Sequence, residues 1–374
     1  MKKKIPLLEA IAVLVGTTIG AGILGLPYVF YQAGFLTGLL IMTAIFLTVL
    51  LLNLHLGEIV TSTKGYHQLS GYAEKYLGKT GKYIMFCSVV FGFYGALLAY
   101  IIGEGKVLAA LTGGSPFVYS LLFFAFASLL IYLGLKVIEK AELFLTAGIL
   151  TVVLLLALWS TNALNWSNLA EFDLYKLFIP YGVVLFAMGG LSAIPQQAQI
   201  LAGHGKKLKL AIILGTLIPF LVYLVFAAIV IGVSGSSTTE VASIGLGLTL
   251  GPAMIIVANI FAFLTMSTSF LTLGLALKNT YNYDFNLNKK LSWLLTVSVP
   301  LLIFVAGFND FEKVLGLGGA IGGGLQGILL GVIYMRLKKN REKQPEYEFA
   351  KSWWITGLLA LMFIGGMVYT LWYL

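Results

Sequence analysis

The chain has 374 residues, of which 59% are hydrophobic and 10% are charged, and its mean hydropathy is +0.95. Soluble domains carry about 25% charged residues, so this composition excludes a water-covered globular fold. The net charge of +9 lies mostly in the connections between apolar runs and needs no nucleic-acid partner to explain it. The single cysteine, Cys87, and three scattered histidines exclude a disulfide and a cysteine or histidine metal cluster.

Apolar runs of about 20 residues, each long enough to cross a bilayer, follow one another along nearly the whole chain. We therefore expect an all-α integral membrane protein with 11 transmembrane helices in one domain, residues 1–374. An amphipathic stretch within 64–82 also predicts a short helix on the membrane surface. In chain order the predicted spans are 8–32, 35–59, 82–111, 116–135, 141–160, 176–200, 209–233, 250–278, 291–307, 313–335 and 353–374.

The lysines and arginines divide unequally between the two sides of these spans. Lys106, Lys176 and Lys313 lie on one side, and the other 21 of the 24 lie on the opposite side. Cytoplasmic loops carry the excess of positive charge, so we expect a cytoplasmic N-terminus and an extracytoplasmic C-terminus in the inner or plasma membrane. We expect anionic lipid near the basic loop 336–341.

Two of the spans are predicted to contain an interruption in the helix. Residues 16–27 in the first span and 186–195 in the sixth each combine clustered glycines with a following proline. Glycine lowers the cost of leaving helical geometry, and proline removes a hydrogen-bond donor. Unpaired backbone inside a bilayer is tolerated only where protein or a water-filled cavity receives it, so both interruptions predict a polar cavity.

The spacing of the two interruptions predicts an internal repeat. Five spans separate them, so the sixth span crosses in the opposite direction to the first. Residues 8–160 and 176–335 are then two inverted repeats, with the helix at 353–374 outside them, and a site is expected where the interruptions meet. The alternative is that the glycines only allow close helix packing. The tenth span, with glycines at 319, 323, 327 and 331, fits that packing pattern, and we expect no binding site there.

A broken helix exposes amides at the start of one half and carbonyls at the end of the other, which favour an anion and a cation respectively. Neither Lys, Arg nor a carboxylate lies near mid-depth in any span, so a neutral zwitterion fits best. The predicted carboxylate-binding amides are those of Thr17, Thr18, Gly20, Ala21 and Gly22. The predicted ammonium-binding backbone is that of Phe186, Ala187, Gly189 and Gly190.

The same residues resemble a known family. The Thr-Ile-Gly-Ala-Gly core at 18–22, Gly-Leu-Pro-Tyr at 25–28 and Gln-Ala-Gly-Phe at 32–35 are similar to the first span of the amino acid/polyamine/organocation superfamily. They look most like its amino acid/auxin permease and aromatic permease branches, as does 186–195. Members often carry Glu directly after the proline of the sixth span, whereas this chain has Gln196, which puts a coupling role there in doubt.

The resemblance implies a LeuT-like fold, a substrate held at the two interruptions, and alternating access. It also implies a sodium site formed by carbonyls of Gly16 and Ile19 and by hydroxyls of Thr265, Thr268 and Ser269 in the eighth span. The alternative is that these hydroxyls bond back to their own helix.

The function expected is cation-coupled symport that imports a neutral amino acid. The alternatives are a proton-coupled or exchange-mode permease of the same fold and, from another class, a membrane-embedded enzyme. An enzyme would need a mid-depth catalytic group, and the sequence offers none. No cofactor is expected beyond sodium or a proton as coupling ion.

Four further polar residues lie within predicted spans. Tyr100 in the third span either contacts substrate or only packs. Glu104, one turn later, is a functional candidate as an intramembrane acid, unless the adjacent Lys106 pairs with it. His55 and Glu58 in the second span have the spacing of a structural pair or of a proton relay.

Overall fold

A computed structural model describes residues 6–134, 137–202, 207–349 and 352–373. The first half of the chain consists of α1 (Pro6–Thr18), α2 (Gly22–Ala33), α3 (Phe35–Ser62), α4 (Leu69–Thr112), α5 (Pro116–Leu133) and α6 (Val137–Ser160). After three short 3₁₀ turns, the second half consists of α7 (Tyr181–Ala187), α8 (Ile194–Ile200), α9 (Leu208–Ser234), α10 (Ala242–Leu250), α11 (Pro252–Asn279), α12 (Lys289–Val305), α13 (Phe311–Leu317), α14 (Gly324–Leu337) and α15 (Trp353–Tyr373).

Among the described residues, seven helices are long and apolar enough to cross a membrane, or eight if the bent pair α1–α2 is one span. The sequence predicted 11. Part of the difference is that α7 and α8 have 7 residues each and α12 has 17. A span needs about 20 residues at 1.5 Å rise per residue, so α7 and α8 do not cross individually.

Both predicted interruptions are present. Residues 19–21 separate α1 from α2, and the two helices meet at a bend of 55°. Residues 188–193 separate α7 from α8 and include one 3₁₀ turn. The glycine clusters therefore end helices at these two points.

A bend in α4 separates the stretch for which the sequence predicted a short surface helix from the rest of α4. Gly78 has φ 74° and ψ −169°, a conformation that residues with a Cβ rarely adopt. It separates residues 69–77 from the long apolar part of the helix. The amphipathic stretch therefore forms its own helical segment, with a different direction from the span that follows.

The tenth predicted span contains π-helical turns at Gly318–Gly323, between α13 and α14. After these turns in the chain, the glycine packing expected from the sequence is present. A Cβ at position 327 would lie 2.5 Å from the Phe363 ring, and one at 331 would lie 3.0 Å from Thr356. Small residues thus let α14 and α15 approach closely, as in other membrane helix pairs.

Candidate functional site

The two helix interruptions pack directly against each other. A Cβ at position 22 would lie 2.6 Å from Ala187 Cα, and one at position 190 would lie 2.7 Å from Thr18 Oγ1. Real Cβ atoms do not approach neighbours that closely. Glycine at 22 is therefore required for the start of α2 to meet the end of α7, and glycine at 190 is required for the second interruption to pack against the end of α1.

The first interruption frees backbone amides at the start of α2. The α1 hydrogen bonds end with Ile19 N donating to Val15 O at 2.9 Å, and Leu24 N donates to Ala21 O at 3.0 Å. Between them, the Ala21 amide faces the Tyr100 hydroxyl, and the Gly20 amide has no backbone acceptor among the described residues. These amides form the positive end of α2.

The amides of Thr17 and Thr18, which the sequence predicted as carboxylate-binding groups, are not free in the structure. Both lie in the last turn of α1, so their amides belong to the helical hydrogen bonds and are not free to bind an anion. Their hydroxyls donate to Val13 O and Leu14 O, at 2.7 Å in each case. What this turn presents to the interruption is the carbonyl end of α1.

A tyrosine of α9 connects the ends of α1 and α7. The hydroxyl of Tyr223, which is fully buried, donates to Thr18 O at 2.7 Å and lies 3.0 Å from Ala187 O. In the second interruption, Gly189 N donates to Phe186 O at 3.0 Å. Carbonyls that the broken helices would leave unpaired therefore receive donors from within the protein.

A cavity of about 130 Å³ lies beside the two interruptions. One water molecule needs roughly 10–15 Å³ by the same measure, so the cavity is large enough for a small solute. Among the described residues, no charged side chain lines it. Its lining runs from Tyr100 and Phe186 to Leu69, the first residue of α4, so the cavity extends toward the face where α3 ends.

Seven of the ten predicted substrate residues line this cavity, namely Thr17, Thr18, Gly20, Tyr100, Phe186, Gly189 and Gly190. The other three, Ala21, Gly22 and Ala187, are buried behind its wall, where the interruptions pack together. A turn of α4 thus brings Tyr100 to the same cavity as residues about 80 positions before and after it.

The expectation that the tenth span only packs is wrong. Gly318, Gly319 and Gly323 line the cavity, and so does Gln326 one turn later. A Cβ at position 319 would lie 2.8 Å from Phe186 Cβ, so glycine leaves room for the wall of the second interruption. The regular four-residue spacing concealed the π-helical turns, which rotate these glycines toward the site.

Two polar side chains of the cavity were not predicted as site residues. Ser192 lies in the second interruption, and Gln326 reaches across from α14 toward Gly92 of α4. Neither carries a charge, and Gln326 lies outside both interruptions in the sequence. Only contact across the fold identifies it.

The predicted sodium ligands are only partly brought together. The Ser269 hydroxyl contacts the Tyr100 hydroxyl and would lie 3.3 Å from a Cβ at Gly20. The Thr265 hydroxyl is buried and has no hydrogen-bond partner within the part of the chain that the structure describes. The Thr268 hydroxyl donates to Leu264 O at 2.9 Å, within its own helix, which is the alternative considered from the sequence.

The carbonyl donors of that predicted set come from the end of α1. Gly16 lies in its last turn, and Ile19 directly follows its last residue. Among the described residues, no group of three or more His, Cys, Asp or Glu side chains could hold a metal ion.

A separate ionic cluster joins the end of α3 to the segment after α14. The Glu58 carboxylate, 0% exposed, accepts from Tyr334 Oη at 2.8 Å and from Phe349 N at 3.1 Å, and pairs with Lys338. His55 stacks on Tyr334 with ring centroids 3.8 Å apart. The partners of Glu58 in the structure therefore include residues of the distant segment 338–349, in place of His55, the partner that the sequence suggested.

Curated relatives of similar length are amino acid transporters. The chain is 26% identical over 327 residues to "Glutamine transporter 2" of Aliivibrio fischeri, covering 83% of each chain. It is 26% identical over 328 residues to "Tyrosine-specific transport system 1" of Haemophilus influenzae, covering 81% of each.

Two solved structures have the same arrangement of helices. The crystal structure of MhsT in complex with L-phenylalanine matches with a TM-score of 0.68 at 15% identity, over 100% of this chain and 98% of that one. The inward-facing conformation of Mhp1 matches with a TM-score of 0.64 at 15% identity, over 98% and 89%. At this identity the likeness establishes the LeuT-like fold.

The family model named "Tryptophan/tyrosine permease family" matches residues 3–373. Together with the transporter relatives, it identifies a multi-pass membrane protein that carries out secondary transport of amino acids and is not an enzyme. The chain belongs to the tryptophan/tyrosine permease family.

Proposed function

We propose that this permease imports a neutral amino acid by cation-coupled symport with alternating access. The observation that carries the proposal is the pair of interrupted helices in contact beside a cavity whose described lining holds no charged side chain. Half-helix termini at such a point offer partial charges of both signs to a zwitterion.

The amide of Gly20, which lines the cavity, would bind the substrate carboxylate, and the amides of Ala21 and Gly22 behind the wall would add to the positive end of α2. The ammonium would face the carbonyl ends of α1 and α7, at Thr17, Thr18, Phe186 and Ala187, with Gly189 and Gly190 completing the wall. Tyr100 would cover the ammonium and carboxylate groups of the bound amino acid, since its hydroxyl reaches Ser269 and the Ala21 amide. A charged substrate side chain would have no counter-ion here, so burying it would be costly.

The chemistry of the cavity favours a substrate side chain with an uncharged body and a polar end. Phe93, Phe186 and Leu52 supply apolar walls, whereas Gln326 and Ser192 supply hydrogen-bonding groups. Glutamine and tyrosine, which name the transport systems of two relatives, both have that character. We propose this class, neutral with one hydrogen-bonding end, as the substrate.

The proposed sodium site consists of the Gly16 and Ile19 carbonyls with Thr265, Thr268 and Ser269. The unpartnered Thr265 hydroxyl and the position of Ser269 beside Gly20 favour it. The hydroxyl of Thr268 would have to leave its own helix to join. A proton is the alternative coupling ion.

The proposed topology has 11 spans in the plasma membrane, with a cytoplasmic N-terminus. Each repeat, residues 8–160 and 176–335, would begin with its interrupted helix, α1–α2 or α7–α8, and 353–374 would be the extra helix. In this orientation the basic loops contact anionic lipid, and the cavity opens toward the cytoplasm, because its lining reaches the start of α4.

The test is uptake of labelled amino acids into proteoliposomes under an inward sodium gradient or an inward proton gradient. We expect concentrative uptake of glutamine or tyrosine and none of lysine or glutamate. Ser269→Ala should abolish sodium-driven uptake, whereas Thr272→Ala, whose hydroxyl bonds to Thr268 O on the outside of the same helix, should retain it.

Each outcome bears on a different part of the proposal. Uptake driven by protons alone would retain the transporter and reject the sodium site. Folded protein that neither accumulates nor exchanges any neutral amino acid would reject the substrate class.

A further inference from the structure

Glu104 is a carboxylic acid inside the helix bundle, and the neighbour that the sequence offered as its partner is engaged elsewhere. Glu104 is 0% exposed. Lys106, two residues later, forms an ion pair with Glu240 at 2.5 Å. The carboxyl of Glu104 therefore lacks the cation that an interface pair would have provided.

The carboxyl has one hydrogen bond. Ser267 Oγ of α11 donates to Glu104 Oε1 at 2.7 Å, and Oε2 is buried without a partner among the described residues. The glycines on either side of Glu104 are in close contact with neighbouring helices. A Cβ at 103 would lie 2.6 Å from Met266 Sδ, and one at 105 would clash with Ser120 of α5. These glycines let α4 pack closely against α11 and α5 on both sides of the acid.

The other titratable groups on helices packed against α4 do not reach Glu104. Lys278 of α11 donates to the carbonyls of Ile131 and Tyr132, and Glu312 of α13 accepts from Gln32 at 3.4 Å. Among the described residues, none of the remaining groups hydrogen-bonds or pairs with Glu104. These are Lys313 on α13, Tyr119 and Tyr132 on α5, Lys289 and Lys290 on α12, and Tyr334 and Arg336 on α14, and α10 carries none.

An ionised carboxylate in such a place is very costly, because nothing compensates for the lost hydration. The acid therefore holds a proton while the α4–α11 contact is closed. A neutral carboxylic acid has one O–H to donate, and the orphan Oε2 is the oxygen free to carry it.

The acid is connected to the substrate cavity through the same two helices. Tyr100 lies one turn before Glu104 on α4 and lines the cavity. Its hydroxyl contacts Ser269 of α11 and the Ala21 amide at the first interruption. Two polar pairs, Tyr100–Ser269 and Glu104–Ser267, thus lie along one α4–α11 contact, and a shift of the first interruption acts on the first pair directly.

We propose that Glu104 is the proton-binding site of this transporter. The proton bonds to a carboxyl oxygen while the α4–α11 contact is closed and leaves to water, giving the carboxylate, when the rearrangement that exchanges the substrate hydrates that contact. This assignment rests on the proposed function, cation-coupled amino acid symport, and selects the proton, which was the alternative coupling ion there, in place of sodium. Uptake driven by a sodium gradient alone would reject it.

The test compares wild-type protein with Glu104→Gln, which keeps the shape of the protonated acid and cannot titrate. Glu104→Asp retains a titratable acid. Glu312→Gln is the matched control, because it removes a second, partly buried carboxyl, at the outer end of α13. Purified variants are reconstituted, and two quantities are measured: exchange of labelled substrate at equal pH, and accumulation driven by an inward proton gradient. A pH-indicator dye in weak buffer also records proton uptake or release by the detergent-solubilised protein on addition of substrate.

We expect Glu104→Gln to exchange substrate normally while losing proton-driven accumulation by about tenfold or more, together with the substrate-induced dye signal. Glu104→Asp should retain part of both, and Glu312→Gln should behave as wild type. The proposal is overturned if Glu104→Gln still accumulates substrate or keeps the dye signal. It is also overturned if Glu312→Gln loses proton-driven accumulation while Glu104→Gln keeps it. Loss of both exchange and accumulation by folded Glu104→Gln would overturn it too, because that result would show a structural role for Glu104. If wild-type protein neither exchanges nor accumulates any neutral amino acid, the proposed function itself fails.

Discussion

The Tyr223 hydroxyl donates to the Thr18 carbonyl at 2.7 Å and thereby ties α9 to the end of α1. The same hydroxyl lies 3.0 Å from Ala187 O at the end of α7. One buried side chain therefore joins both interruptions, and any motion that separates them must break at least one of these contacts.

Tyr223→Phe removes this junction and takes away the hydroxyl proton that the buried Thr18 carbonyl accepts. Leaving a buried polar group unpaired costs about 1–3 kcal/mol, so we expect a lower melting temperature and about tenfold slower uptake. Tyr119→Phe is the control, because its hydroxyl interacts with Thr112 at an exposed position. Equal effects of the two substitutions would contradict a special role for Tyr223.

Gly22→Ala should separate the two interruptions. Its Cβ would lie 2.6 Å from Ala187 Cα, a backbone atom that cannot move aside alone. Overpacking costs about 1–3 kcal/mol, so we expect folded protein with substrate binding weakened by about tenfold, measured by scintillation proximity. Gly365→Ala on α15, where nothing lies within 4 Å, should bind as wild type does; weakened binding there would point to a general loss of folding.

Gln326→Leu should alter selectivity among neutral substrates. The amide lines the cavity, and one hydrogen bond contributes about 0.5–1.5 kcal/mol. We therefore expect about 2–10-fold weaker competition by glutamine or tyrosine, with smaller changes for leucine or phenylalanine. Gln199→Leu, on the exposed side of α8, is the matched control, and a uniform loss for all substrates would exclude a selective contact.

Glu58→Gln should destabilise the protein strongly. Lys338, whose side chain is 5% exposed, would keep its charge beside a neutral amide. Breaking one side of a buried ion pair costs about 3–5 kcal/mol, so the melting temperature in detergent should fall by several degrees. Glu58→Gln combined with Lys338→Met should recover much of the loss. Glu342→Gln, which removes a partly exposed pair with Lys75, should leave the melting temperature nearly unchanged.

Acid should weaken the segment after α14. Hydrogen bonds from Arg341 and Lys338 lower the pKa of Glu348 from 4.5 to about 2. Because the pKa is lower in the folded state, the stabilisation is complete above the unfolded value and is lost as pH falls from about 4.5 toward 2. Glu348→Gln should reduce this part of the pH dependence of the melting temperature. An unchanged profile would show that Glu348 does not contribute.

The sequence by itself determined the membrane environment, the order of the helices and the positions of both interruptions. Hydropathy and glycine–proline clusters are local properties of the chain, and the cost of unpaired backbone in a bilayer gives them one physical meaning. That is why interruptions were predicted within residues 16–27 and 186–195 before the fold was known, and the structure ends α1 and α7 inside those two stretches.

Only the tertiary structure decided which groups meet. Gln326 joins the cavity because π-helical turns rotate α14, and Glu104 loses Lys106 to Glu240, a residue 134 positions later in the chain. Glu58 likewise pairs with Lys338 instead of His55. The partner of a polar side chain depends on how helices distant in sequence pack against each other, and the local pattern of residues carries no record of that packing.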